Sequence, residues 1–190
     1  FVSYWFSDRI ALAMHGARPI AYAEAPWLHQ MLDRLAYRAG MPTPQLYLIP
    51  TRTPNAFATG RSPNHAAVAV TAGLLEILDR RELEGVLAHE LAHVRNRDTL
   101  IGTVAATLAG VISHAAQMVF WFGGLFLGGR DRDEEGGGGL ATLGLLLVAP
   151  IAAMLLQLAV SRSREYGADA TGASLTGDPD ALADALLKLE

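Results

Sequence analysis

The residues best suited to chemistry are His89-Glu90-Leu91-Ala92-His93. On a helix, the i, i+4 spacing puts both imidazoles on one face, one turn apart. Two neutral imidazole nitrogens so placed can reach one Zn²⁺ at about 2.0–2.1 Å. Glu90, beside the first histidine, can then take a proton from a water whose pKa the ion lowers toward about 7. That combination hydrolyses peptide bonds. The chain has no cysteine, so only His, Asp and Glu can hold a metal, and disulfides and thiolate nucleophiles are excluded. The plain alternative is a pair of surface histidines on an amphipathic helix.

The helix that must carry these residues has a clear start. Asp79 caps it, and Glu82 three residues on completes a capping box. Leu83, Val86, Leu87, Leu91 and Val94 give it an apolar face. Upstream, Pro26 to Ala39 reads as a helix with Gly40 as its stop. Gln45–Ile49 reads as a strand, and so do Asn55–Thr59 and His65–Val70, which the turn Arg61-Ser62-Pro63-Asn64 joins into a hairpin. Thr71 to Leu78 starts helical.

Charge is distributed unevenly. The net charge of −4 gives no footprint for nucleic acid, so no nucleic-acid partner is expected. The apolar fraction is 51% and mean hydropathy is +0.24. No Asp, Glu, Lys or Arg occurs over the 31 positions from Thr99 to Gly129, or over the 26 from Gly136 to Ser161. About 20 apolar residues span a bilayer. The stretch 99–161 is therefore expected to be a transmembrane helical hairpin, with the charged, Gly-rich connector 130–139 outside the lipid. Pro150 is a candidate kink, Gly123-Gly124 a candidate break, and Trp121 and Phe122 candidate interfacial anchors. His114 inside the first span reads as a packing or hydrogen-bonding residue. Arg95, Arg97, Arg162 and Arg164 on one side outnumber Arg130 and Arg132 on the other, which predicts that residues 1–98 and 162–190 face the cytoplasm. The apolar opening Phe1–Phe6 and the unterminated helical pattern 181–190 suggest a piece of a longer chain.

This topology narrows the choice of a third metal ligand. A metzincin would carry Gly at position 96 and His at 99, where this chain has Asn96 and Thr99. Asp98 is near but on the wrong turn for easy coordination. Glu134 and Glu135 fall across the proposed membrane from His89. Glu165 remains, returned to the same side by the hairpin, with Asp169 one turn further along the same face as an orienter of a metal-bound histidine. The expected architecture is mainly α with a small β-sheet: a zincin-like, gluzincin-type domain interrupted by the hairpin. It comprises residues 1–98 (sheet and HExxH helix), 99–161 (hairpin) and 162–190 (third-ligand helix), with one Zn²⁺ per chain.

Three stretches together resemble the HtpX family of bacterial membrane zinc metalloproteases, which is related to the Ste24 and Oma1 peptidases. They are Asn55-Ala56-Phe57-Ala58-Thr59-Gly60, His89 to Asp98, and Ser163-Arg164-Glu165-Tyr166-Gly167-Ala168-Asp169. Ser3 to Asp8 also looks like the exit from that family's second span. The resemblance implies a multi-pass protein of the bacterial inner membrane with its catalytic site facing the cytoplasm. It implies proteolytic quality control of misfolded or damaged membrane proteins under stress. It also implies that the strand Asn55, Ala56, Phe57, Ala58 pairs with substrate backbone by strand addition; read without the family, this is a simple hairpin strand. Two other functions fit parts of the pattern. One is an inactive membrane scaffold or chaperone of the same fold, against which the intact Glu90 argues. The other is a metal carrier using His89 and His93.

Overall fold

The computed structural model describes residues 12–126 and 137–190. The opening run Phe1–Phe6, the stretch Ser3–Asp8 and connector residues 130–136 lie outside them, as do the side chains of Trp121 and Phe122.

The sheet is built around its most buried strand, His65–Thr71. Strands β1 (Arg18–Pro19), β2 (Gln45–Ile49), β3 (Ala56–Ser62) and β4 (His65–Thr71) lie in the order β1-β2-β4-β3. The hairpin β3–β4 is antiparallel, with Ala58 opposite Val68, and an irregularity at Gly60/Ser62 bends its end. Gly60 has φ 135°, and a Cβ there would sit 2.1 Å from the His65 carbonyl oxygen, so only glycine fits. β2 joins β4 in parallel, Leu46 opposite Val68, a pairing that the hairpin pattern alone did not reveal. β1 also goes beyond the sequence reading: two residues are too short to show a period. β3 is left as an edge.

Side chains alternate across β4. Val68 and Val70 face the main core, while Ala67 and Ala69 face a smaller cluster with Leu12 and Ile49. Helix α1 (Pro26–Ala39) lays Leu28, Met31, Leu32 and Leu35 on the main core and ends at Gly40 in the left-handed conformation. Helix α2 (Ala72–Ile77) starts at Thr71, whose hydroxyl accepts from the Leu74 N–H. Helix α3 (Arg80–Arg95) carries the HExxH stretch. Its capping box forms as the spacing predicts: the Asp79 carboxylate accepts from the Glu82 N–H, and Glu82 accepts from the Asp79 N–H.

Helix α4 (Asp98–Phe126) runs through Gly123-Gly124, and α5 (Gly137–Thr176) runs through Pro150, so neither candidate interruption ends a helix. α5 carries the second apolar stretch and continues as the helix bearing Glu165 and Asp169. Helix α6 (Asp180–Leu189) follows. The chain divides into two compact units, one formed by residues up to Leu100 together with Arg164–Glu190, the other by Ile101–Ser163. Among the described side chains of the second unit the buried positions are alanines, Ala105, Ala109, Ala116, Ala149 and Ala153, while Val111, Met118, Leu147 and Leu158 are exposed. This inverts a water-soluble core and matches helices that pack through small residues in lipid. Both helices are long and apolar enough to cross a membrane.

Candidate metal centre

Burying Leu83, Leu87, Ala88 and Leu91 of α3 leaves His89, Glu90 and His93 half-buried on its other side. The two Nε2 atoms face each other at 3.0 Å, with the rings nearly perpendicular. Glu165 Oε2 of α5 lies 3.6 Å from each of them. A tetrahedral ion with bonds of about 2.05 Å has ligand–ligand edges of about 3.3 Å. The observed edges of 3.0, 3.6 and 3.6 Å bracket that value, so the three atoms fit one small metal ion. The donor set of two imidazoles and a carboxylate, with no thiolate, suits zinc and leaves a fourth position for substrate or water.

Each imidazole has a carboxylate at its other nitrogen. His93 Nδ1 is 2.6 Å from Asp98 Oδ2. His89 Nδ1 is 2.9 Å from Asp169 Oδ1, close enough to pair but out of line for a full hydrogen bond. A proton on Nδ1 of either ring would face a carboxylate, which leaves the Nε2 lone pairs free to point toward each other and Glu165. Close approach of α5 to α3 makes this possible. Ala168 is fully buried, and a Cβ at Gly172 would lie 3.1 Å from His89 N.

Glu90 points from the same helix face to the sheet edge. The Ala58 N–H donates to its Oε2 at 2.9 Å. Burial pushes the Glu90 carboxyl up, opposed by that N–H and by the positive charge His89 and His93 can carry. The site opens into a cleft of about 350 Å³. Asn55 and Ala56 line it on the strand side, Val86, His89 and Glu90 on the helix side, and Leu182, Leu186 and Leu189 of α6 opposite.

The structure therefore gathers His89, His93 and Glu165, with Glu90 and Asp169 beside them, and brings Asn55, Ala56 and Ala58 to the cleft or to Glu90. It does not bring the Phe57 side chain there. With the two-residue period of a strand, Phe57 turns to the opposite face, packing on the smaller cluster and on the His15 ring. Asp98 lies outside the cluster of His89, His93 and Glu165, yet its Oδ2 meets Nδ1 of His93, a contact that the sequence alone does not show. Between α3 and α4, Arg97 adopts a left-handed φ of 57° and swings Asp98 back onto His93. No helical period foretells a contact made across such a turn. Its one sequence trace is an acid immediately after the helix's last residues.

Residues 22–190 match the model of Peptidase family M48. The chain is 60% identical over 195 residues to a protease HtpX homolog of Aquifex aeolicus and 55% identical over 190 to one of Pyrococcus furiosus. Both alignments cover the whole chain, which spans 64% and 65% of those relatives' lengths. Its fold is similar to the crystal structure of S. mikatae Ste24p, with a TM-score of 0.64 at 20% identity over 99% of this chain and 48% of that one.

Proposed function

The chain belongs to peptidase family M48, and from that premise we propose that it is the catalytic part of a membrane-embedded, zinc-dependent endopeptidase. The observation that carries this reading is the His89–His93–Glu165 triangle with Glu90 beside it, open to a cleft bordered by β3, which has no second strand partner among the described residues. His89, His93 and Glu165 would hold the zinc, which when bound polarises the scissile carbonyl and acidifies water. Asp169 and Asp98 fix the histidine tautomers. Glu90 accepts the proton of the attacking water and returns it to the leaving amine.

Ala56 and Ala58 present backbone groups on the outer edge of β3, because the intervening residues face β4. An extended substrate adding there as a strand would be bound through its main chain, a mode that tolerates many sequences. Helix α4 and the apolar part of α5 form the membrane hairpin, supported by their exposed aliphatic residues and buried alanines. With arginines flanking both spans on one side, the catalytic unit faces the cytoplasm of a bacterial inner membrane. Misfolded or damaged membrane proteins are then within reach as substrates. An inactive scaffold has no use for a base held at the cleft, and this reading is not favoured.

The test is Glu90→Gln in the full-length protein in detergent. It is expected to keep bound zinc by elemental analysis and lose chelator-sensitive proteolysis by at least about 100-fold. Cleavage at the parental rate would remove Glu90 from the mechanism.

A further inference from the structure

We propose that Arg164 is a positioning residue that sets metal retention by clamping Asp98 against His93, without touching metal or substrate. The proposal rests on the metal-site reading above. The two imidazoles are supported unequally. Asp169, the partner of His89, lies on the same helix as Glu165 and one turn from it, so the two carboxylates move together. Asp98, the partner of His93, lies on neither α3 nor α5, beyond the left-handed turn at Arg97. A short turn with one residue at positive φ does not by itself hold a carboxylate to a fraction of an ångström. Something must tie Asp98 to the ligand-bearing helices.

Arg164 supplies that tie. Its Nη1 donates to the Asp98 backbone carbonyl at 2.7 Å, across 66 residues of sequence. A carbonyl oxygen has two lone pairs, so it can accept this bond and still serve α4. Arg164 immediately precedes Glu165, so one residue joins the ligand of α5 to the segment that orients the ligand of α3. Among the described residues its Nε is buried with no hydrogen-bond partner, which leaves the Asp98 carbonyl as the contact fixing the guanidinium. Asp98 is itself 7% exposed, and its Oδ2 lies 2.6 Å from His93 Nδ1. The path is continuous: Arg164 holds the Asp98 main chain, the Asp98 side chain holds Nδ1 of His93, and Nε2 of His93 faces the site.

The experiment measures zinc affinity of the full-length protein by competition with a chromophoric chelator, alongside the melting temperature of the metal-free protein. Arg164→Met keeps the aliphatic stem and removes the donors, and Arg164→Lys keeps a donor. Asp98→Asn should weaken zinc binding about 10–100-fold. Arg164→Met should weaken it about 10-fold with the metal-free melting temperature unchanged, and Arg164→Lys should recover part of the loss. The double variant Asp98→Asn/Arg164→Met should bind within about 2-fold of Asp98→Asn alone, because both act along one path. Wild-type affinity in Arg164→Met, losses that multiply in the double variant, or a loss tracking a lowered metal-free melting temperature would each overturn the proposal. His93→Ala separates the premise from the proposal: unchanged zinc affinity in that variant would sink the metal-site reading itself.

Discussion

Replacing Gly172 by alanine places a methyl group between the two helices that share the site. The new Cβ would lie 3.1 Å from His89 N, 3.2 Å from its Cα and 3.3 Å from the Ala88 carbonyl carbon. All three are backbone atoms of α3, so no side chain can swing away, and ordinary contact begins near 3.4 Å. The helices must therefore separate by a few tenths of an ångström. Two stability effects oppose each other. Alanine in a helix interior is favoured over glycine by about 1 kcal/mol, and overpacking a tight contact costs about 1–3 kcal/mol. The net change in unfolding free energy should stay within about 2 kcal/mol of zero. The metal site has less tolerance, because Glu165 and Asp169 ride on α5 while His89 and His93 ride on α3. The ligand edges are 3.0–3.6 Å, and metal–ligand distances tolerate about 0.2 Å. Zinc affinity should fall about 10-fold, the scale of a disturbed ligand shell, while a denaturant titration of the metal-free protein moves little. Gly172→Val, with two further methyl groups at the same contact, should do worse on both. Wild-type zinc affinity in both variants would refute the claim that this glycine sets the α3–α5 spacing.

Other expectations follow from the same geometry. Asp79→Ala removes the capping box of α3 and should lower the denaturant midpoint, with zinc stoichiometry unchanged. The Glu82 N–H holds the Asp79 carboxyl below its usual 3.8, and Arg81 does the same for Asp178. Groups whose pKa falls on folding stabilise above the unfolded value. This support should be complete above about pH 5 and fade as pH falls through 3.8 and below. Thermal unfolding followed across that range checks it, and because both groups are exposed the loss should shrink at high salt. Ala58→Pro removes the N–H that Glu90 accepts without breaking the ladder to β4, since that N–H points outward. Turnover should drop about 10-fold or more with bound zinc retained, measured by peptide cleavage beside elemental analysis.

Much of this protein was legible from local rules. The HExxH face, the capping box at Asp79, the stop at Gly40 and the β3–β4 hairpin each depend on residues a few positions apart, where helix and strand periods fix side-chain direction. The charge-free stretches needed only counting. Glu165 and Asp169 could be paired from the sequence because their i, i+4 spacing puts both on one helix face. What remained hidden was set where periods end or where distant segments meet. β2 joins β4 in parallel because its apolar residues complete the core on α1 and α3, a choice that only packing makes. The Ala58–Glu90 bond depends on how far the sheet edge lies from α3. Asp98 reaches His93 through a single left-handed residue, and Arg164 reaches Asp98 across 66 positions. The sequence by itself determined which atoms could hold a metal. The tertiary structure decided how they are held, because a ligand's direction comes from partners that no local spacing brings to it.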